Sequence, residues 1–227
     1  MPRRLQKESD MSHPLPNLSL LEARILGVLV EKEKTTPDTY PLTLNSLLSG
    51  CNQKTSRDPV MSVSESEIQA ALEELRSRVL VLETYGASGR VLRYTQNFGK
   101  CYGLPAASVA LLTILMLRGA QTVSELRAYS ERLYRFDDAS SVEAYLEELA
   151  TRSSGALVVK LPKQAGSREH RWVHLLCGEP SLPLDQGRGL EAGASHTTAL
   201  EERVARLEQD VAELRAELRA ALGSQNE

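Results

Sequence analysis

The chain has 227 residues and a formal net charge of −3, with 41% hydrophobic and only 4% aromatic residues, so its core must be filled by Leu, Val and Ala. Four arginines against seven acidic residues place that −3 on the stretch from Thr197 onward and leave the rest neutral. A body without basic excess cannot hold nucleic acid by bulk electrostatics. Three widely spaced cysteines without a C-x-x-C pair exclude a disulfide framework and fit a reducing cytoplasm.

The opening "MPRRLQKESDMSHPLP" is charged and lacks an apolar stretch, so no secretory signal is expected and residues 1–17 read as a disordered segment. Ser19 is the candidate N-cap of "LSLLEARILGVLVEKEK", where Leu21, Ile25, Val28 and Leu29 fall at helical spacing. "LTLNSLLSGCN" predicts a short second helix ending near Gly50. The polar connection "CNQKTSRDPV" leads to a third helix over Ser64–Val79, with Ile68, Leu72, Leu75 and Val79 as its core face. A β-branched run, the turn "YGASGR" and a second strand then form a hairpin.

The same order recurs. Pro105 opens "PAASVALLTILMLRG", closed by Gly119, and its apolar run is too short to span a bilayer. "TVSELRAYSERLY" is the next short helix, and Ala139–Arg152 the third, with Asp137 and Asp138 as candidate caps. A hairpin turning at "PKQAGSRE" follows, and the shared Leu-Glu-Glu-Leu units, Leu72–Leu75 and Leu146–Leu149, mark the repeat. Three helices closed by a hairpin is the winged helix-turn-helix plan. The expected fold is therefore α+β and helix-rich: tandem winged-helix domains at 18–100 and 101–177, a flexible linker at 178–196, and a C-terminal coiled-coil helix at 197–223.

Three segments in order, "CNQKTSRDPVMSVSESEIQAALEELR", "LRAYSERLYRFDD" and "LPKQAGSREHRWVHLL", resemble the signature stretches of the YceH-like family of uncharacterised bacterial proteins. The resemblance covers about Leu18 to Gly178. It implies a tandem winged-helix fold and no established biochemical activity.

In the tail, Leu200, Val204, Leu207, Val211, Leu214 and Leu218 alternate four and three apart, a heptad seam for parallel pairing into a homodimer. The alternative is one amphipathic helix folded back on a domain.

Winged helices most often bind DNA, but a fold does not decide a function. Over Ser64–Val79, Glu65, Glu67, Glu73 and Glu74 outweigh Arg76 and Arg78; over Ala139–Arg152, Glu143, Glu147 and Glu148 outweigh Arg152. Helices of that sign are repelled by the phosphates flanking a groove, and only Gln69 could read a base edge. Two places keep double-stranded DNA in view through non-specific phosphate contacts. One is the second wing, with Lys160, Lys163, Arg168 and Arg171 and the extra donors His170 and His174; the other is Lys54 and Arg57 in the connection.

The leading expectation is thus a cytoplasmic, dimeric, DNA-associated regulator, with a scaffold for a partner protein as the alternative. For "CNQKTSRDPV" itself two readings stand. Either it is a turn satisfied by Thr55, Ser56 and Asp58 with local ion pairs of Arg57 and Asp58, or an anion or partner site built on Lys54 and Arg57. His170, Trp172 and His174 share a strand face near Cys177, a thin basis for a metal site. Arg127, Arg132 and Arg135 form a modest basic stripe, expected to be solvated or paired with Asp137 and Asp138. No nucleotide, metalloprotease or hydrolase motif occurs, so neither catalysis, cofactor nor membrane association is expected.

Overall fold

The computed structural model describes residues 17–85, 89, 91–163, 167 and 169–180. The expected tail helix with its seam Leu200–Leu218, nearly all of the linker, Arg168 and most of both hairpin tips lie outside the described residues.

The described body is a mixed helix-and-strand structure in which one plan is carried out twice. The first half runs α1 (Leu20–Thr35), a short 3-10 turn (Pro37–Thr39), β1 (Leu42–Thr43), α2 (Leu44–Cys51), α3 (Glu65–Ser77), β2 (Val81–Tyr85) and β3 (Leu92–Gln96). After α4 (Phe98–Cys101) come α5 (Ala106–Arg118), β4 (Gln121–Thr122), α6 (Val123–Ser130), α7 (Ala139–Ala150), β5 (Val158–Lys160) and β6 (Arg171–His174). Each half has a three-stranded antiparallel sheet of matching order, β1-β3-β2 and β4-β6-β5. Leu42 lies opposite Tyr94 in the first, and Gln121 opposite Trp172 in the second.

Local chemistry explains the helix starts. Ser19 and Glu22 form a capping box on α1, Ser64 and Glu67 on α3, and Thr122 and Glu125 on α6. In each, the side chains satisfy backbone N–H groups that no helical carbonyl reaches. Asp138 caps α7 by accepting from the Ser141 N–H at 2.8 Å. Gly119 closes α5 at φ 70°, a conformation costly for any residue with a Cβ.

Helix α3 ends at Ser77, before Val79. Ile68, Leu72 and Leu75 are buried as expected, but Val79 is 52% exposed at φ 60°. The backbone turns left-handed after the helix, the Leu80 N–H bonds back to the Leu75 carbonyl at 2.9 Å, and Leu80 takes the buried place.

Helices α1 and α5 pack against each other, and both are buried well beyond a single face. Ile25 and Leu29 of one and Leu111 and Leu115 of the other belong to a single core, which also takes in Leu72, Leu146 and Trp172. The expected boundary between residues 100 and 101 falls inside α4. The halves are also tied at their ends, where the Leu18 N–H donates to the Leu176 carbonyl at 2.7 Å.

Candidate functional site

The connection between α2 and α3 is held from inside. Arg57 is buried, and its guanidinium forms a two-point ion pair with Glu31 of α1, at 3.1 Å from Nη1 to Oε1 and 2.6 Å from Nη2 to Oε2. Its Nε donates to the Gly50 carbonyl at 3.3 Å, and Nη1 also to that of Ser56 at 2.9 Å. Burial pushes the Glu31 carboxyl up, but the hydrogen bonds and charge of Arg57 outweigh it and hold the group below the usual carboxylate range.

Beside this pair, Arg24 is 1% exposed and donates from Nη1 to the Cys51 carbonyl at 3.3 Å and from Nη2 to that of Pro59 at 2.7 Å. Burial and the neighbouring Arg57 charge lower its pKa. Asn52 completes the clasp: its Nδ2 donates to the Val63 carbonyl and its Oδ1 accepts from the Val63 N–H, both at 2.8 Å. The Asp58 N–H reaches across to the Leu117 carbonyl of α5 at 2.8 Å.

Arg57 as a ligand-facing donor is therefore a correction, because its charge and hydrogen bonds are consumed within the protein. The ion pair is also not local, since Glu31 comes from the first helix. Lys54 is exposed, without an ion pair among the described residues.

The described part of the β5–β6 hairpin is likewise engaged. Lys160 Nζ lies 3.2 Å from a Glu143 oxygen and 4.0 Å from one of Glu147, and 5.4 Å from the Trp172 ring centroid. Arg171 pairs with both carboxylate oxygens of Glu125, at 2.9 and 3.2 Å, and donates to the Ala120 carbonyl at 2.8 Å. Glu125 thus caps α6 and fixes the strand arginine at once. Lys163 is exposed. His170 Nδ1 lies 3.0 Å from the Leu161 carbonyl. His174 cannot serve as a cationic donor near neutral pH, since burial pushes its pKa down to about 4. Trp172 between them is buried, and among the described residues no three His, Cys, Asp or Glu side chains group as a metal site.

The outer faces of α3 and α7 carry exposed Glu65, Glu67, Glu73 and Glu74, and Glu143, Glu147 and Glu148. Arg76 is spent on Glu83 at 3.0 Å, and Arg78 lies 3.7 Å from Glu22 and 3.9 Å from Glu74.

Residue-by-residue reading missed a cavity of about 360 Å³ between α6 and α7, lined by Ser124, Arg127, Ala128, Glu131, Arg135, Phe136 and Ala139. Arg127 donates from Nη2 to the backbone carbonyl of Asp137 at 2.8 Å, while the Asp138 carboxylate is occupied by Ser140 and Ser141. Of the two expectations for this stripe, solvated or paired with the aspartates, no arginine–aspartate salt bridge forms among the described residues and the three arginines are exposed. Tyr134 packs on Phe136 with centroids 4.9 Å apart, and Phe136 on Tyr145 at 5.9 Å. The signal was in the sequence: arginines and aromatics interleave in "RAYSERLYRF".

Together the fold and these surfaces define a helix-rich α+β protein, one module made twice around a common core. A family model described as a protein of unknown function, DUF480, matches residues 18–167. The chain belongs to this family. It is 56% identical over 207 residues to a UPF0502 protein of Dechloromonas aromatica (strain RCB), covering 91% of this chain and 96% of the relative. A UPF0502 protein of Leptothrix cholodnii is 60% identical over 163 residues, 72% of each chain, and one of Paraburkholderia phymatum 55% identical over 216, 90% of this chain and 91% of the relative.

Proposed function

We propose that this is a tandem winged-helix binding protein, not an enzyme, that docks a partner protein instead of holding DNA. In this reading it acts in the cytoplasm as a homodimer joined through its heptad tail. One observation carries the choice of partner: three of the five described wing and turn cations that DNA phosphates would need are already neutralised. Arg57 is paired with Glu31, Lys160 with Glu143, and Arg171 with Glu125. The exposed faces of α3 and α7, which would enter a groove, are acidic. Of the wing and turn cations described, Lys54 and Lys163 stay exposed and without a salt bridge. Two phosphate contacts from these described cations release few counterions and contribute a salt slope of only about −2.

The test is fluorescence anisotropy with random-sequence duplex DNA at about 50 and 200 mM salt, where a true phosphate binder loses several decades of affinity. No measurable binding is expected even at low salt. Tight low-salt binding with a slope of about −5 or steeper would overturn this reading in favour of a DNA-associated regulator. Sedimentation of the full chain against one cut after Gly178 checks the dimer, which is lost if both run as monomers.

A further inference from the structure

The module's two copies treat the same position in opposite ways. In the first, the connection between the second and third helices is sealed from within by Arg24, Arg57 and Glu31. In the second, the same position carries a surface cleft of about 360 Å³ lined by residues from α6 to the start of α7, and its arginines are exposed. Arg135 and Arg127 line it and are exposed, as is Glu131. Among the described residues Arg127 makes one hydrogen bond, to the Asp137 carbonyl, and Arg135 forms no ion pair. Buried Phe136 and exposed Ala128 supply an apolar lining, and Tyr134 stands exposed against Phe136.

From this arrangement we infer that the α6–α7 cleft is the docking site for an acidic segment of a partner protein, a carboxylate seated between Arg127 and Arg135 beside an apolar side chain on Phe136. The inference rests on the protein-partner reading above and gives it an address. Charge selects the ligand. The two arginines outweigh Glu131 among the lining residues, so the cleft favours an anionic group. Guanidinium groups hold carboxylates by two parallel N–H donors, and the bond strengthens beside apolar surface where water is displaced. Exposed Tyr and Arg around a pocket are also the residues that dominate binding energy at protein interfaces.

The experiment is a selection of random displayed peptides on the full chain. The enriched peptides are then synthesised and their affinities measured for the wild type, Arg135→Glu and Arg135→Gln. Arg135 is exposed and supports no internal ion pair, so both variants should keep the wild-type melting temperature. The expected result is peptides with Asp or Glu beside an apolar residue. They should bind Arg135→Glu at least about ten-fold more weakly, with Arg135→Gln between the two. Replacing the acidic residue by its amide should weaken binding. Peptides that ignore the Arg135 variants overturn this site while leaving the partner reading intact. If no peptide is enriched and duplex DNA binds at low salt, both fall together.

Discussion

Glu31→Gln tests the internal clasp. The side chain of Arg57 is 0% exposed and that of Glu31 19%, so the glutamate neutralises a cation that cannot reach water. Removing one partner of a buried ion pair costs about 3–5 kcal/mol, because the other charge is stranded. Here a second buried guanidinium, Arg24, already presses on Arg57. Gln keeps one acceptor and the site is not fully sealed, which places the cost near the lower end, about 3 kcal/mol. For a body of this size that lowers Tm by about 6–12 °C. Circular dichroism during thermal and urea unfolding measures it, and a double-mutant cycle with Arg57→Met should return a coupling of about 2 kcal/mol. The pH dependence carries a sign. Glu31 titrates below its ordinary 4.5 in the folded protein, so its contribution is complete above the unfolded value and vanishes as pH falls through the folded one. The wild type should therefore lose its advantage over Glu31→Gln on acidification below about pH 4.5, and not on going alkaline. A cost under about 1 kcal/mol at neutral pH, or a coupling near zero, would refute the account of the connection.

Two further substitutions probe the same region by other physics. An Ala Cβ at Gly50 would sit 2.6 Å from Val28 Cγ1, a buried β-branched side chain with little freedom to yield, so Gly50→Ala should cost about 2 kcal/mol in urea unfolding. A loss under about 0.5 kcal/mol would mean α1 and α2 can slide apart there. Asn52→Ala removes two hydrogen bonds to the Val63 backbone and should cost about 2 kcal/mol, while the near-isosteric Asn52→Asp should cost at least as much, because it sets a second acceptor against the Val63 carbonyl. Wild-type stability in Asn52→Asp would show that the pairing with Val63 contributes nothing.

What could be read from the chain alone was what local rules decide. Ser19, Asp138 and Gly119 act at helix ends because capping depends on a few adjacent residues. The buried faces of α3 and α7 follow from spacing, and the shared Leu-Glu-Glu-Leu units disclosed the repeated plan. Features set by distant partners escaped. The two-residue strands β1 and β4 carry no periodicity of their own and exist only because β3 and β6 pair with them. Helices α1 and α5 were read singly, although their nearly continuous apolar runs already signalled burial on more than one side. The two readings of Arg57, ion-paired turn or ligand-facing donor, could not be separated from sequence because its carboxylate lies 26 residues earlier in the chain. Arg127, expected to be solvated or paired with an aspartate, is exposed and holds the Asp137 backbone carbonyl, a distinction that residue types cannot convey.

The common core has a mechanical corollary. Rotating one copy of the module against the other would pull Ile25 and Leu29 away from Leu111 and Leu115, re-exposing oil to water at about 25 cal/mol for every Å². Jaw-like closure, by which many two-lobed binders grip and release their cargo, is thus denied to this body.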